Sequence, residues 1–341
     1  MTAIDLYGKD LISTQDWSRE EIDFTMSLAA DIKRWYYAGN VPELFKNKTF
    51  FMLFYNTSTR TRSSFEAAAT ILGGHAQYID FTTTRGAEGE TIKDMAKMYE
   101  RFGHALGIRI LESAVDYVYG KGNATIREYA KYAKIPVINM ADDMYHPTQA
   151  ITDIFTIKEK FPRGIEKKKY VLMWAYSTRI RSWGSIQDEM LIATKYGMDV
   201  VLAHPPEFSI DKNLIEEAKR NAEESGGSLE ITYDLKEALK GAHVVFPRSW
   251  ASYGCVTTGL NRFGKEKEIE LHNKYRSWRL TIELVDLMDK HGIITHVLPV
   301  FRGEEADDEV MDSERSIIYD QAENLVYVRA AILALTAGRP R

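Results

Sequence analysis

Five consecutive residues, Ser58-Thr59-Arg60-Thr61-Arg62, carry side chains that can all donate hydrogen bonds. They follow an apolar run typical of a buried strand and precede a segment with helical character. Backbone N–H groups at a helix N-terminus bind anions, and an arginine there can hold two phosphate oxygens at once. The motif therefore predicts an anion site. A simple Ser/Thr helix cap beside solvated arginines is the alternative.

Two further segments of the first half could act on the same anion. Arg109 lies in a predicted strand, where an arginine is poorly tolerated unless it is paired or binds a ligand. His146 precedes Pro147, which suits the first turn of a helix. A histidine there could polarise a carbonyl oxygen, and Gln149 could fix a neighbouring amide group. A structural ion pair for Arg109 and a plain cap for His146 are the alternatives.

The second half offers two polar segments after predicted strands, Pro247 to Gly254 and His296 to Glu305. Taken alone, each is typical of an ordinary loop at a strand end. The histidines lack the spacing of metal ligands, and carboxylates such as Asp142 and Asp143 are more often solvated than ligating. The sequence therefore predicts no metal site.

Composition restricts the class of protein. The 341 residues, 45% hydrophobic and 27% charged, suit a globular protein of two domains. A net charge of -5 argues against a general binder of nucleic acids or anionic membranes. Cys255 is the only cysteine, which excludes an intrachain disulfide and fits a reducing compartment. With no secretory signal and no apolar run of about 18 residues, we expect a cytoplasmic protein without a membrane span.

Strand and helix patterns alternate along the chain. Strands are predicted at residues 49–55, 75–79, 105–110, 136–139, 170–174, 199–203, 244–246 and 294–297. Helices are predicted at 17–33, 62–72, 90–102, 126–132, 148–160, 187–196 and 324–337. Such alternation implies parallel sheets with helices on both faces, and ligands in these folds bind beyond the carboxyl ends of the strands.

We therefore expect an α/β fold of two doubly wound parallel-sheet domains. The first domain is predicted at residues 1–160 and the second at 161–323. Whether the closing helix at 324–341 packs on the first domain cannot be derived from the pattern, because hydrophobic periodicity does not identify the partner of a helix.

Six segments together resemble the aspartate/ornithine carbamoyltransferase family over nearly the whole chain. In chain order they are Ser58 to Arg62, Gly89 to Asp94, Gly107 to Arg109, His146 to Gln149, His296 to Pro299 and Asp320 to Asn324. Their order and spacing make the match specific. The resemblance implies that a carbamoyl group moves from carbamoyl phosphate to the amine of a small amino-acid-like acceptor, without a cofactor.

The resemblance also implies which residues bind each substrate. Carbamoyl phosphate would be held by Ser58, Thr59, Arg60, Thr61, Arg109, His146 and Gln149, with Arg60, Arg109 and His146 catalytic. Arg302 would compensate for a family arginine that this chain replaces with Leu325. The acceptor residues would be Asp143, Arg248, Ser252, Tyr253, His296, Val297, Leu298 and Pro299. A homotrimer is implied, in which the loop at residues 82–90 reaches a neighbour's active site.

Three positions depart from the ornithine enzymes. Val297 replaces a cysteine, Tyr253 a methionine, and Arg248 the aspartate that receives the α-amino group of ornithine. Exchange of a carboxylate for a guanidinium reverses the local charge, so a free α-ammonium would be repelled. The expected acceptor is an ornithine relative without a free α-ammonium, or one that bears an extra carboxylate. Authentic ornithine carbamoyltransferase, which makes citrulline, and a non-catalytic family member are the alternatives.

Other segments lean toward the N-acetylornithine branch of the family. The stretch at residues 175–188 is longer than in ornithine enzymes, and in that branch it is threaded. A trefoil knot in the second domain is therefore compatible with the sequence, despite the low base rate of knots. The segment Asn139 to Tyr145 is closer to ornithine-type members, so the branch stays open.

Overall fold

The computed structural model describes residues 4–338, which divide into two compact units. The described parts of the first unit are residues 4–115, 120–152 and 322–338. The second unit comprises residues 116–119 and 153–321. The C-terminal segment thus belongs to the first unit, which no local pattern in the sequence had decided.

The first unit is built around a parallel sheet of four strands. Its elements, in chain order, are α1 (Arg19–Tyr37), β1 (Thr49–Phe54), α2 (Thr59–Ile71), β2 (His75–Asp80), α3 (Ile92–Phe102), β3 (Ala105–Ile110), α4 (Lys121–Tyr132), β4 (Val137–Asp142) and α5 (Pro147–Lys160). Short 3-10 turns occupy Phe81–Thr83, Arg85–Glu88 and Glu112–Val115. The strand order is β2-β1-β3-β4, and every pairing is parallel.

Strands β1 and β4 of this sheet are covered on both faces. All residues of β4 are buried, and β1 is buried from Phe50 onward, whereas the edge strand β2 is largely half-buried or exposed. Full burial of a side chain such as Leu53 contributes about 2 kcal/mol from apolar area alone. A rigid, dry sheet therefore fixes where the loops at its carboxyl edge begin.

The second unit is built around a parallel sheet of five strands. Its elements are β5 (Lys169–Trp174), α6 (Gly184–Lys195), β6 (Asp199–Ala203), α7 (Lys212–Ser225), β7 (Ser228–Thr232), α8 (Leu235–Leu239), β8 (Val244–Arg248), α9 (Tyr253–Thr258), α10 (Leu260–Phe263), α11 (Lys265–Lys274), α12 (Ile282–Val285), β9 (Ile293–Ile294) and α13 (Asp308–Met311). A 3-10 turn occupies Pro206–Phe208. The last helix of the chain, α14 (Ile318–Ala337), begins in this unit, but from Ala322 onward it belongs to the first unit. The strand order is β7-β6-β5-β8-β9.

These two parallel sheets confirm the predicted fold class. Two strands, Ala105–Ile110 and Asp199–Ala203, have the predicted bounds. The predictions missed α7 and placed the start of α4 at residue 126 rather than Lys121 and that of α14 at residue 324 rather than Ile318. Helix α2 begins at Thr59 rather than residue 62 because Ser58 caps it. A knot in the second domain stays a prediction. No helix among residues 4–338 is long and apolar enough to cross a bilayer.

Candidate active site

The Ser58 motif forms the N-terminus of α2. Ser58 is extended (φ -158°), and its Oγ accepts a hydrogen bond of 3.3 Å from the N–H of Thr61. Thr59 and Arg60 therefore belong to the first helical turn, which contains no acidic residue. Thr61 is buried, whereas Thr59 is exposed. The N–H groups at this helix start and the exposed Thr59 hydroxyl have the arrangement that binds an anion.

Three adjacent strands bring the predicted donor residues to one edge of the sheet. Ser58 follows β1, Arg109 is the penultimate residue of β3, and His146 follows β4. In the register of the sheet, Phe54 lies opposite Arg109, and Arg109 lies opposite Ala141. Because all these strands are parallel, their carboxyl ends meet at the same edge, as expected from the sequence.

The Arg109 guanidinium is a buried cation close to a second one, that of Arg60. Burial lowers the pKa of Arg109 to about 10; the Glu112 carboxylate opposes this shift, and the charge of Arg60 adds to it. Its Nε is buried and has no hydrogen-bond partner among residues 4–338. Two guanidiniums that repel each other beside a helix N-terminus favour a bound dianion.

A second helix N-terminus lies at the same edge. His146 is 7% exposed, and its carbonyl accepts the N–H groups of Gln149 at 3.0 Å and Ala150 at 3.1 Å. Pro147 is the first residue of α5, where its missing N–H costs nothing. Gln149, in the first turn, is also buried. The predicted His146 and Gln149 side chains thus belong to a preformed helix start.

Asp143 has contacts that explain its burial structurally. Its Oδ2 accepts the N–H of Gly120 at 2.6 Å, and its Oδ1 accepts the N–H of Asn123 at 3.0 Å. These amides belong to the start of α4, so the carboxylate caps that helix. The hydrogen bonds oppose the effect of burial, which raises the pKa of Asp143. Its predicted role in acceptor binding stays a prediction.

In the second unit, a buried carboxylate is surrounded by cations. Glu305 is fully buried; its Oε1 accepts the N–H of Ser249 and its Oε2 that of Phe301, each at 2.9 Å. Arg248, the last residue of β8, lies 4.0 Å from Oε1, and Arg181 lies 3.9 Å from Oε2. Both arginine side chains are only 12% exposed.

His296 completes this group, which we call the Glu305 cluster (Arg181, Arg248, His296 and Glu305). Nδ1 of His296 accepts the N–H of Leu298 at 2.8 Å, so the proton of the neutral ring lies on Nε2, 3.5 Å from Glu305. Burial lowers the pKa of His296, although Glu305 opposes the shift. Burial acts to raise the pKa of Glu305, but His296 and the two guanidiniums outweigh it and lower that pKa to about 2.

The Glu305 cluster thus contains two guanidiniums, one carboxylate and a neutral imidazole. Its net charge is positive, and the surplus lies beside the predicted acceptor residues. Val297 and Leu298 are half-buried and Pro299 is exposed. Arg181 donates to the carbonyl of Pro299 at 3.3 Å. The sequence singled out Arg248 and His296 but missed Arg181, whose only signal was an arginine in the long stretch between β5 and α6.

Ser252 and Tyr253 stand at the start of α9. Ser252 caps this helix, and both its N–H and its Oγ donate to the buried Glu268 at 2.6 Å. Glu268 also contacts His272 at 3.1 Å. The Tyr253 ring stacks on Trp183 with centroids 5.9 Å apart. Ser252 is therefore fixed in a buried network, whereas Tyr253 is half-buried.

Arg302 is held by carboxylates of its own unit. Its guanidinium donates to Asp308 at 3.1 Å and to Asp312 at 2.6 Å. These two partners raise the pKa of Arg302. The two aspartates neutralise the guanidinium, which gives Arg302 a structural role. Binding of carbamoyl phosphate by Arg302 stays a prediction. Residues 4–338 hold no cluster of three His, Cys, Asp or Glu side chains suited to a metal ion.

The chain matches two family models. Residues 9–159 match the carbamoyl-phosphate-binding domain of aspartate/ornithine carbamoyltransferase, and residues 178–336 match its aspartate/ornithine-binding domain. The anabolic ornithine carbamoyltransferase of Pyrococcus furiosus is 36% identical over 337 residues, 98% of each chain. The N-acetylornithine carbamoyltransferase of Xanthomonas campestris is 34% identical over 348 residues, which cover 98% of this chain and 99% of that one.

Solved structures give the same pairing of relatives. The ornithine carbamoyltransferase of Pyrococcus furiosus superposes with a TM-score of 0.87 at 35% identity, covering 99% of this chain and 100% of that chain. An acetylornithine transcarbamylase in complex with acetylcitrulline also reaches 0.87, at 32% identity, with 97% and 100% covered. With both domains matched and relatives covered end to end, the chain belongs to the aspartate/ornithine carbamoyltransferase family.

Proposed function

We propose that this carbamoyltransferase moves the carbamoyl group of carbamoyl phosphate to the amino group of an ornithine relative that lacks a free α-ammonium. The observation that carries the acceptor class is the Glu305 cluster, in which Arg181 and Arg248 outnumber one carboxylate. Positive charge there repels an ammonium and attracts a carboxylate. Acylation of the amino group removes the repelled ammonium, and a carboxylate on the acceptor supplies the group that the guanidiniums attract.

For the donor, the proposal rests on the N-termini of α2 and α5 and on two arginines. The phosphate of the donor is held by the N–H groups and hydroxyls of Ser58, Thr59 and Thr61 and by the guanidiniums of Arg60 and Arg109. A dianion there relieves the repulsion that helps to lower the pKa of Arg109. His146 and Gln149, at the start of α5, bind the carbonyl oxygen and the amide nitrogen of the carbamoyl group.

The reaction is an acyl transfer without a covalent enzyme intermediate. The neutral amine attacks the carbonyl carbon, and a tetrahedral oxyanion forms. Arg60, Arg109, Thr61 and His146 stabilise the charge on this oxyanion and on the departing phosphate. The C–O bond to phosphate then breaks, and phosphate accepts the proton that the attacking nitrogen loses. Products are the N-carbamoyl amino acid and inorganic phosphate, and no cofactor takes part.

An acceptor screen tests the proposal. Purified protein is incubated with carbamoyl phosphate and single amines, and phosphate release is measured above the rate of spontaneous hydrolysis. The set contains ornithine, Nα-acetylornithine and Nα-succinylornithine, with the doubly acylated ornithines as controls because they lack the attacking amine. We expect Nα-acylated acceptors to exceed ornithine by at least tenfold in kcat/KM, which corresponds to about 1.4 kcal/mol. Ornithine as the best substrate would overturn the acceptor assignment.

Authentic ornithine carbamoyltransferase is the second candidate, because a relative of that name is 36% identical over 98% of the chain. Citrulline formation from ornithine decides between the two. A non-catalytic member is a third reading, suggested by Leu325 in place of the family arginine. Calorimetry addresses it: no heat with carbamoyl phosphate, and no phosphate release with any amine, would favour loss of function.

The assembly and the location belong to the same proposal. We infer a homotrimer in which the loop at residues 82–90 reaches a neighbouring active site. Residues of this loop are mostly exposed, and two short 3-10 turns at Phe81–Thr83 and Arg85–Glu88 give it a compact shape. Sedimentation equilibrium measures the mass of the assembly; a monomer at micromolar concentration would contradict it. The expected location is the cytoplasm.

A further inference from the structure

Arg329 is a fully buried arginine that the predicted sites do not include. It lies in α14, in the part of the chain that belongs to the first unit, and only 1% of the residue is exposed. Its guanidinium lies 4.5 Å from the centre of the Phe65 ring, which packs against its face. A buried guanidinium is costly to desolvate, so its position calls for a reason.

The hydrogen bonds of Arg329 reach both helix N-termini of the proposed donor site. Nη1 donates to the hydroxyl of Ser64 and, at 3.5 Å, to the carbonyl of Thr61, both in α2. Nη2 donates to the hydroxyl of Thr148 at 3.3 Å, in the first turn of α5. The Ser64 hydroxyl in turn donates to the carbonyl of Arg60 at 2.5 Å. One side chain therefore links the first turn of α2 to that of α5.

Positive charge from three sources meets at this place, from the guanidinium of Arg329 and from the N-termini of α2 and α5. Helix N-termini carry partial positive charge and favour anions, so the charge of Arg329 and the dipoles of α2 and α5 repel one another. The oxygens that accept these hydrogen bonds, one carbonyl and two hydroxyls, are neutral groups. A neutral side chain would join the same two helices at lower electrostatic cost. The same three positive sources together attract a dianion strongly, because low-dielectric surroundings screen them little.

We propose that Arg329 is a positioning residue for carbamoyl phosphate. It fixes the first turns of α2 and α5 relative to each other. Its charge also raises the positive electrostatic potential at the donor site without contact to the substrate. The inference rests on the proposed donor site, and Arg329 itself does not touch the reacting atoms. Arg329 thus brings a guanidinium from α14 to the donor site. Leu325, in the same helix, has no guanidinium to bring.

Phosphate binding tests this role without any acceptor. Calorimetric titration with inorganic phosphate is run on the wild type and on Arg329→Gln, Arg329→Lys and Arg329→Met. We expect the Kd for phosphate to rise about 10- to 100-fold in the Gln and Met variants, since each loses a charge close to a bound dianion. The Lys variant keeps the charge but loses the fork that joins α2 and α5 and the packing on Phe65, so we expect its Kd to rise less, by about three- to tenfold. Arg101→Gln, on an exposed side chain of the same unit, is the matched control.

Steady-state kinetics separates positioning from a merely structural effect. The Gln variant should raise the KM for carbamoyl phosphate by a similar factor while the KM for the acceptor is unchanged, and its phosphate affinity should depend less on salt than that of the wild type. Circular dichroism checks folding, and Thr148→Val, which removes one of the hydroxyl partners, replaces the Met variant if that protein does not fold. Equal phosphate affinity in wild type and Arg329→Gln would overturn the inference. Failure of the wild type to bind phosphate or carbamoyl phosphate would instead overturn the donor site itself.

Discussion

Nε2 of His296 lies 3.5 Å from Oε2 of Glu305, and both residues are buried. The imidazole is oriented by the N–H of Leu298, which donates to Nδ1 at 2.8 Å. The Glu305 carboxylate therefore has one neutral and two cationic neighbours. Its negative charge balances part of the charge of the two buried guanidiniums.

The stability of the protein should depend on the charge of Glu305. Its pKa is lowered from an ordinary value of 4.5 to about 2. The corresponding stabilisation, on the order of 3 kcal/mol, is present above pH 4.5 and is lost as the pH falls toward 2. Glu305→Gln should lower the free energy of unfolding by about 3–5 kcal/mol at pH 7, because two arginines lose their counter-charge. It should also flatten the dependence of stability on pH below 4.5.

Urea unfolding between pH 3 and pH 7 measures both effects. Glu309→Gln, a change on an exposed side chain, is the control and should follow the wild type. An unfolding free energy that falls with acid as steeply in Glu305→Gln as in the wild type would show that another group controls the acid limb.

Arg60 and Arg62 provide a matched pair for the donor site. Arg60→Ala should lower kcat/KM by at least about a thousandfold, or about 4 kcal/mol, since it removes a charge-assisted clamp on the phosphate and the oxyanion. Arg62→Ala should change it little, because that exposed side chain donates to Glu66 at 3.0 Å and stacks 4.1 Å above the Tyr78 ring. Phosphate release with the best acceptor is the measurement. A nearly wild-type rate in Arg60→Ala would remove the basis for the proposed donor site.

Arg248 should control which acceptor is used and should not affect the binding of carbamoyl phosphate. Arg248→Gln should raise the KM for the acceptor at least about tenfold, because the ion pair between Arg248 and the carboxylate of the acceptor is lost. The KM for carbamoyl phosphate should not change. Arg248→Asp reverses the charge and should improve the ratio of ornithine to Nα-acetylornithine turnover. Arg220→Gln, an exposed change in α7, serves as the control. Equal losses for both substrates in Arg248→Gln would point to disturbed folding instead of acceptor binding.

Ser252 should contribute to stability through two interactions. Ser252→Ala removes the cap of α9, worth about 1 kcal/mol, and deprives the buried Glu268 carboxylate of a hydroxyl donor at 2.6 Å, worth about 1–3 kcal/mol. We expect the midpoint of urea unfolding to fall accordingly. Thr257→Ala, on an exposed residue of the same helix, is the comparison. Equal midpoints for the two variants would contradict the buried network.

Local patterns predicted the parts of the fold that local physics controls. The apolar strand before Ser58 and the helix after it depend on neighbours a few residues away, so they could be read from the chain. The donor motif followed because a strand, a cap and a helix start are contiguous. The stripe of Leu214, Ile215, Ala218 and Ala222 on α7 carried the same kind of signal, and the sequence predictions omitted it.

The Glu305 cluster and Arg329 could only be decided by the tertiary structure. The cluster joins residues 181, 248, 296 and 305, which come from three separate segments, two loops and one strand end. Arg329 reaches Thr61 from 268 positions away. Periodicity predicts which face of an element is buried, but not which element covers it or which distant charge lies beside it. The sequence by itself therefore determined the fold class, the family and the donor motif. The surplus positive charge of the Glu305 cluster and the position of Arg329 beside the donor site exist only because folding brings remote residues together.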